Sequence, residues 1–156
     1  TTPFNFSNFG NLTQSTRLSG NMGNDIVATA KKYIGYKESD GSYKKFTGGR
    51  TEAWCADFVT YVTREAFRAN GKSVPTGFGS PAVKNLKQWG KDNNCYTTDV
   101  SKAKPGDVVI FNKSHTGIVK EVRDGKVYTI EGNTSKGTVA ERTRTSKDIN
   151  GFVQIA

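Results

Sequence analysis

The spacing of the apolar residues changes once along this chain, near residue 105, and that change decides what the chain can fold into. Before it the spacing is helical. Ile26, Val27, Ala30, Tyr33 and Ile34, after a cap at Asn24 or Asp25 and before Gly35, predict a first helix. Cys55, Phe58, Val59, Val62 and Ala66 recur at three and four and predict a second over about Glu52 to Ala69, stopped by Asn70-Gly71. Ser80-Pro81 reads as the cap and first position of a third, over about 81 to 89, burying Val83 and Leu86. After Lys104-Pro105-Gly106-Asp107 the segments become short and β-branched: 108–111, 116–122, 127–130, 139–142 and 152–155, with Asp124-Gly125 the clearest turn. Helices first and strands second predict an α+β fold, with N-terminal helices packed on an antiparallel sheet of about five to six strands. Residues 36–51 read as a polar loop, and residues 1–22 as a linker or N-terminal strap before a folded domain over 23–156.

A single domain of 156 residues buries a core without help from metal or disulfides, and its 9 Phe, 6 Tyr and 2 Trp supply the mass. No apolar run approaches the about 20 residues of a membrane span. Lys and Arg outnumber Asp and Glu by 23 to 14, a net charge of +9 that favours a polyanionic neighbour. Nucleic acid, anionic lipid and acidic cell-wall polymers all qualify by charge. The cations are spread from Arg17 to Lys147 with doublets only at 31–32 and 44–45, however, which is not the basic tract of a nucleic-acid arm.

With two cysteines and one histidine, a four-ligand Cys/His zinc site is not available, and any Cys-His or Ser-His chemistry must use His115. Cys55 falls in the first turn of the second predicted helix, where unpaired N–H groups and the helix dipole favour a thiolate. It reads equally as a small residue heading a core stripe. Cys95 lies in a polar stretch with nothing to activate it, although a disulfide between the two remains open. His115 stands at the mouth of a strand. Glu131 directly follows the apolar run 127–130, so it is partly buried and needs a partner, for which the His115 imidazole is the natural choice. Asn133 offers a second orienting or oxyanion-stabilising group. One geometric condition must be met: a two-residue turn at Asp124-Gly125 pairs Arg123 with Lys126 and sets Glu131 on the opposite face from His115. A three-residue turn or a bulge that brings Val119 opposite Glu131 restores a common face.

Four segments in order, Glu52-Ala53-Trp54-Cys55-Ala56-Asp57-Phe58-Val59, Pro105-Gly106-Asp107-Val108-Val109, His115-Thr116-Gly117-Ile118-Val119 and Ile130-Glu131-Gly132-Asn133, resemble those of the CHAP family of cysteine, histidine-dependent amidohydrolases/peptidases, near relatives of the NlpC/P60 peptidases. The resemblance covers roughly residues 25–155. It implies a papain-like α+β fold and catalytic roles for Cys55 as nucleophile, His115 as base, Glu131 as orienting carboxylate and Asn133 as a further polar group. Trp54, beside the nucleophile, is expected to line a substrate groove or to pack. Some relatives bind calcium near the nucleophile, and here Asp40 and Asp57 are the candidate ligands; otherwise no cofactor is expected. The implied substrate is an amide bond of peptidoglycan, attracted along with anionic wall polymers to the basic surface, with no nucleic acid and no membrane span. A monomer acting outside the cytoplasm, as part of a longer chain, completes the expectation. Amidase and endopeptidase stay undistinguished, as do phage lysin, bacterial remodelling enzyme and antibacterial toxin. The competing class is a noncatalytic basic module that binds glycan or nucleic acid, in which Cys55 and His115 have no reason to be adjacent.

Overall fold

A computed structural model describes residues 19–156. Residues 1–18 of the expected linker lie outside the described residues. The rest of that segment belongs to the fold: Asn21 caps the first helix through its side chain, and Met22 opens it. The helices are α1 (Met22–Lys32), α2 (Lys44–Thr47), α3 (Cys55–Ala69) and α4 (Val83–Asp92). The strands are β1 (Tyr96–Thr97), β2 (Val108–Phe111), β3 (Thr116–Arg123), β4 (Lys126–Glu131), β5 (Ala140–Arg144) and β6 (Ile149–Val153). They form a six-stranded sheet in the order β1-β6-β2-β3-β4-β5, antiparallel at every pairing. The fold is α+β with the helices N-terminal, as the change in spacing predicts.

The cap of α1 is Asn21 and not Asn24 or Asp25, because Asn21 accepts from the Asn24 N–H while Asp25 sits inside the first turn. Residues 36–51 are not only loop. Tyr43 and Phe46, on either side of the start of α2, turn inward and join Tyr33, Tyr36, Trp54 and Phe58 in an aromatic cluster under α3. Three glycines and six charged residues hid that cluster from composition.

Each face of the sheet is apolar. Val108, Ile110, Ile118, Ile130 and Val153 pack under the helices with Ile26, Phe58, Val62 and Leu86. Val109, Phe111, Val119, Val127, Ile149 and Phe152 build a smaller cluster on the far side. The far face also carries the acid. Along β4, Ile130 points to the helices, so Glu131 points away from them.

The β3–β4 hairpin meets the geometric condition by a different route from the one expected. Its turn is the tight two-residue form, with positive φ at both Asp124 (53°) and Gly125 (75°), and Arg123 pairs with Lys126. The irregularity lies further in, where the register shifts between Val119 and Glu121, leaving Lys120 as an extra residue on β3. Beyond the bulge Ile118 pairs with Ile130, and the next step sets Gly117, not Val119, beside Glu131. Parity is restored, with the register displaced in the opposite sense.

Candidate active site

Cys55 is the first residue of α3, which begins with its apolar stripe and three residues later than the predicted start near Glu52. At that position its backbone N–H has no intrahelical acceptor and is available to a ligand. The thiol is free and 5% exposed, at the wall of a small cleft it shares with Ala53, Ser114 and residues 81–84. Cys95 is free as well, which settles the disulfide question, and burial pushes its thiol up.

His115 ends the loop between β2 and β3. Its ring stacks on Phe111 with centroids 5.4 Å apart, and its Nε2 lies 2.9 Å from Glu131 Oε1. Nδ1 is then the nitrogen left for the Cys55 thiol, which interacts with the ring. Burial disfavours the charged imidazole, but Cys55 and Glu131 together outweigh it and push the His115 pKa up to about 9. The acid is buried completely. Burial alone would raise its pKa, yet hydrogen bonds from His115, Arg144 and Thr129 hold it down at about 2. The arrangement is therefore a thiol, an imidazole that favours its proton and a carboxylate that stays charged, in that order.

Arg144 is the residue that sequence reasoning missed. It reaches from β5 to Glu131 with two parallel bonds, Nε to Oε2 at 2.9 Å and Nη2 to Oε1 at 2.6 Å, and its guanidinium lies 4.8 Å over the Phe111 ring. Two cations thus share one buried carboxylate, and both pack on the Phe111 ring. The predicted strand, 139–142, stops short of Arg144, whereas the observed β5 runs on to it and carries Arg142 and Arg144 two apart on one face.

The other expected site residues separate. Asn133, with φ 55°, lines the cleft beside His115, but its side chain makes no hydrogen bond among the described residues, so Glu131 alone orients the ring. Trp54 does not line a groove. It is wholly buried, stacks on Phe46 and donates its Nε1–H to Glu38 Oε2 at 2.8 Å; an indole with every face packed has nothing left for substrate. The two calcium candidates are already engaged. Asp40 is exposed and closes a turn by accepting from Ser42 N and Oγ, while Asp57 pairs through Oδ1 with the Arg50 guanidinium and keeps one buried oxygen, Oδ2, without a hydrogen bond. A lone orphan oxygen beside an arginine does not fit an ion that takes about six to eight oxygens. No cluster of three or more His, Cys, Asp or Glu occurs among the described residues.

Two glycines let the strands come this close. A Cβ on Gly117 would stand 2.6 Å from Glu131 Cγ, and one on Gly132 would stand 2.7 Å from Phe58 Cβ, so β4 presses at once on β3 and on α3. The Gly117→Ala protein is expected to lose about 1–3 kcal/mol of stability from overpacking, and its activity should fall further than its folded fraction because the displaced side chain is Glu131. Denaturant unfolding beside a rate measured on the folded fraction checks this. Equal losses in both would mean that Glu131 does not feel the methyl.

The family model for the CHAP domain matches residues 46–133, more than half of the chain, and the protein belongs to the CHAP family. CHAP is a cysteine, histidine-dependent amidohydrolase/peptidase domain associated with peptidoglycan. Cys55, His115, Glu131 and Asn133 all lie within the match, and Arg144 lies beyond it. Neither the curated proteins nor the solved structures contain a match to the chain. No helix among the described residues is long and apolar enough to cross a membrane.

Proposed function

We propose that this CHAP domain hydrolyses an amide bond of peptidoglycan, as an N-acetylmuramoyl-L-alanine amidase or a stem or cross-bridge endopeptidase, through a Cys55 thioester. The observation that carries the proposal is the placement of the His115 ring between a free thiol at a helix start and a buried, charged Glu131. The Cys55 sulfur bonds to the amide carbonyl carbon, and the oxygen takes the charge beside the Cys55 N–H. The C–N bond then breaks as His115 gives its proton to the leaving nitrogen. Water, deprotonated by the now neutral His115, hydrolyses the thioester and restores the thiol. Glu131 holds the ring and its charge, and Arg144 holds Glu131. The net charge of +9 favours a wall rich in anionic polymer, and action outside the cytoplasm follows from that substrate.

Digestion of purified peptidoglycan, with the new ends identified by mass spectrometry, tests the proposal. Free lactyl groups with free N-terminal alanine identify the amidase, and new peptide ends identify the endopeptidase. Absence of any new end from walls of several chemotypes would overturn it.

The charge of His115 sets the pH range. A pKa raised from 6.5 to about 9 keeps the ring protonated through neutrality, and the stability this lends is complete below 6.5 and lost as pH rises through about 9. The rate should fall over the same alkaline range, because the leaving nitrogen loses its proton donor. Glu131 acts in the other direction. Its pKa is depressed from 4.5 to about 2, so its contribution is present above 4.5 and lost as pH falls toward 2. Profiles of kcat/KM and of the unfolding midpoint against pH check both limbs.

A further inference from the structure

Two clefts open at the chain neighbours Ser114 and His115: Ser114 lines one together with Cys55, and His115 lines the other. The one on the thiol side holds about 250 Å³, and the one beyond His115 holds about 510 Å³. On the function proposed above, His115 must deliver its proton to the departing nitrogen, so the amine half of the substrate lies on its side and the acyl half on the other. The larger cleft therefore faces the leaving half.

The wall of that cleft is cationic. Lys113, Arg142, Arg144 and Lys147 line it, and Asp148 is the carboxylate among the lining residues. Arg144 is matched by Glu131, and Asp148, whose Oδ2 accepts from the Thr145 N–H, offsets one more charge. Of the four cations, that leaves two uncompensated. Lys113 and Lys147 are exposed and form no ion pair among the described residues, while half-buried Arg142 donates only to the Glu141 carbonyl. A fork-shaped donor set with two ammonium groups around it, three cations against the one carboxylate of Asp148, is complementary to an anion. On the function proposed above, an anion seated in the cleft that His115 lines belongs to the half of the substrate that leaves with the nitrogen.

We infer that the cleft is a subsite for a carboxylate on the leaving half, so that the protein selects amides whose amine-side fragment is an acid. Arg142, Lys113 and Lys147 are its specificity residues, and none of them takes part in the bond-making steps.

The test is a competition between soluble muropeptides, crosslinked and uncrosslinked, and the same compounds with their carboxylates converted to carboxamides. In an equimolar mixture the two consumption rates, read by mass spectrometry, give the ratio of kcat/KM directly. Wild type is expected to consume the acids about 10-fold faster or more, the value of a charge-assisted hydrogen bond. Arg142→Gln, and Lys113→Gln with Lys147→Gln, should flatten that ratio by slowing the acids alone, with the carboxamide rate held within about 2-fold. Equal consumption by wild type would overturn the subsite, and it is also the result expected of a cleft that reads wall phosphates, since these fragments carry no phosphate polymer. A preference that survives in the variants would place the recognised carboxylate elsewhere and overturn it too. If wild type cuts neither form, the proposed function and the subsite both fall; cutting without preference removes the subsite alone.

Discussion

The Cys55→Ala protein is expected to release no new ends from peptidoglycan while folding as the wild type does. Loss of a nucleophile that acts as a unit with its base costs about 10⁴-fold or more in kcat, which places any residual rate below detection in a wall digest. Stability should move little. The side chain loses a single sulfur at a cleft wall, and alanine is the better helix former, so the unfolding free energy should stay within about 1 kcal/mol of wild type. Cys95→Ala supplies the control, since its thiol is pushed up by burial and stands apart from any base. Alkylation by iodoacetamide should follow the same division, with rapid loss of activity tracking modification of Cys55. A Cys55→Ala protein that still opens the wall would remove the thioester from the mechanism.

Glu131→Gln is expected to damage stability and rate together, because one residue serves two partners. Glutamine keeps the shape but replaces an acceptor-only group by one that must point an NH₂ at His115 or at Arg144, both of which donate toward it. Breaking a buried pair costs about 3–5 kcal/mol; both partners are partly exposed here, so a loss of about 2–3 kcal/mol is expected in denaturant unfolding. The kinetic effect should exceed that of a merely loosened fold, with kcat/KM down by about 100-fold or more as the ring loses its orientation and charge support. The alkaline limit separates the two effects. Without the carboxylate the imidazole pKa falls back from about 9, so the rate should decline at lower pH than in wild type. An unchanged limit would mean that Glu131 stabilises the fold only.

What could be read from the sequence follows the distance over which each feature is encoded. The stripe from Cys55 to Ala66 is local, so the second helix and the thiol at its head are legible from spacing alone. The α+β class is equally local, set by the change near residue 105. The partnership of His115 and Glu131 was legible as a need, since a carboxylate after an apolar run requires a partner and the chain holds one imidazole. Its geometry was half legible: parity demanded an irregularity, but the chain could satisfy parity in either direction with the same residues on each face, and it takes the one with the extra residue on β3, at Lys120. Arg144 could not be reached that way. Its role depends on the pairing of Glu131 with Ala140, which places Arg142 and Arg144 on the acid's face, and register across a loop is not written in either strand by itself. Trp54 failed for the opposite reason: adjacency to the nucleophile in sequence says nothing about which way a large ring turns, and the aromatic cluster from Tyr33 to Phe58 claims it.

The extra residue at Lys120 also divides the hairpin into two segments that keep separate time. Outside it, the tight turn dictates how the strands align; inside it, the glycine and the acid do. Because the mismatch is absorbed at one point, the tip of the hairpin is free to lengthen, shorten or accept a graft during evolution or engineering without transmitting a slip to the dyad. A bulge that first looks like a correction for parity is in effect a clutch between the part of the protein that can vary and the part that cannot.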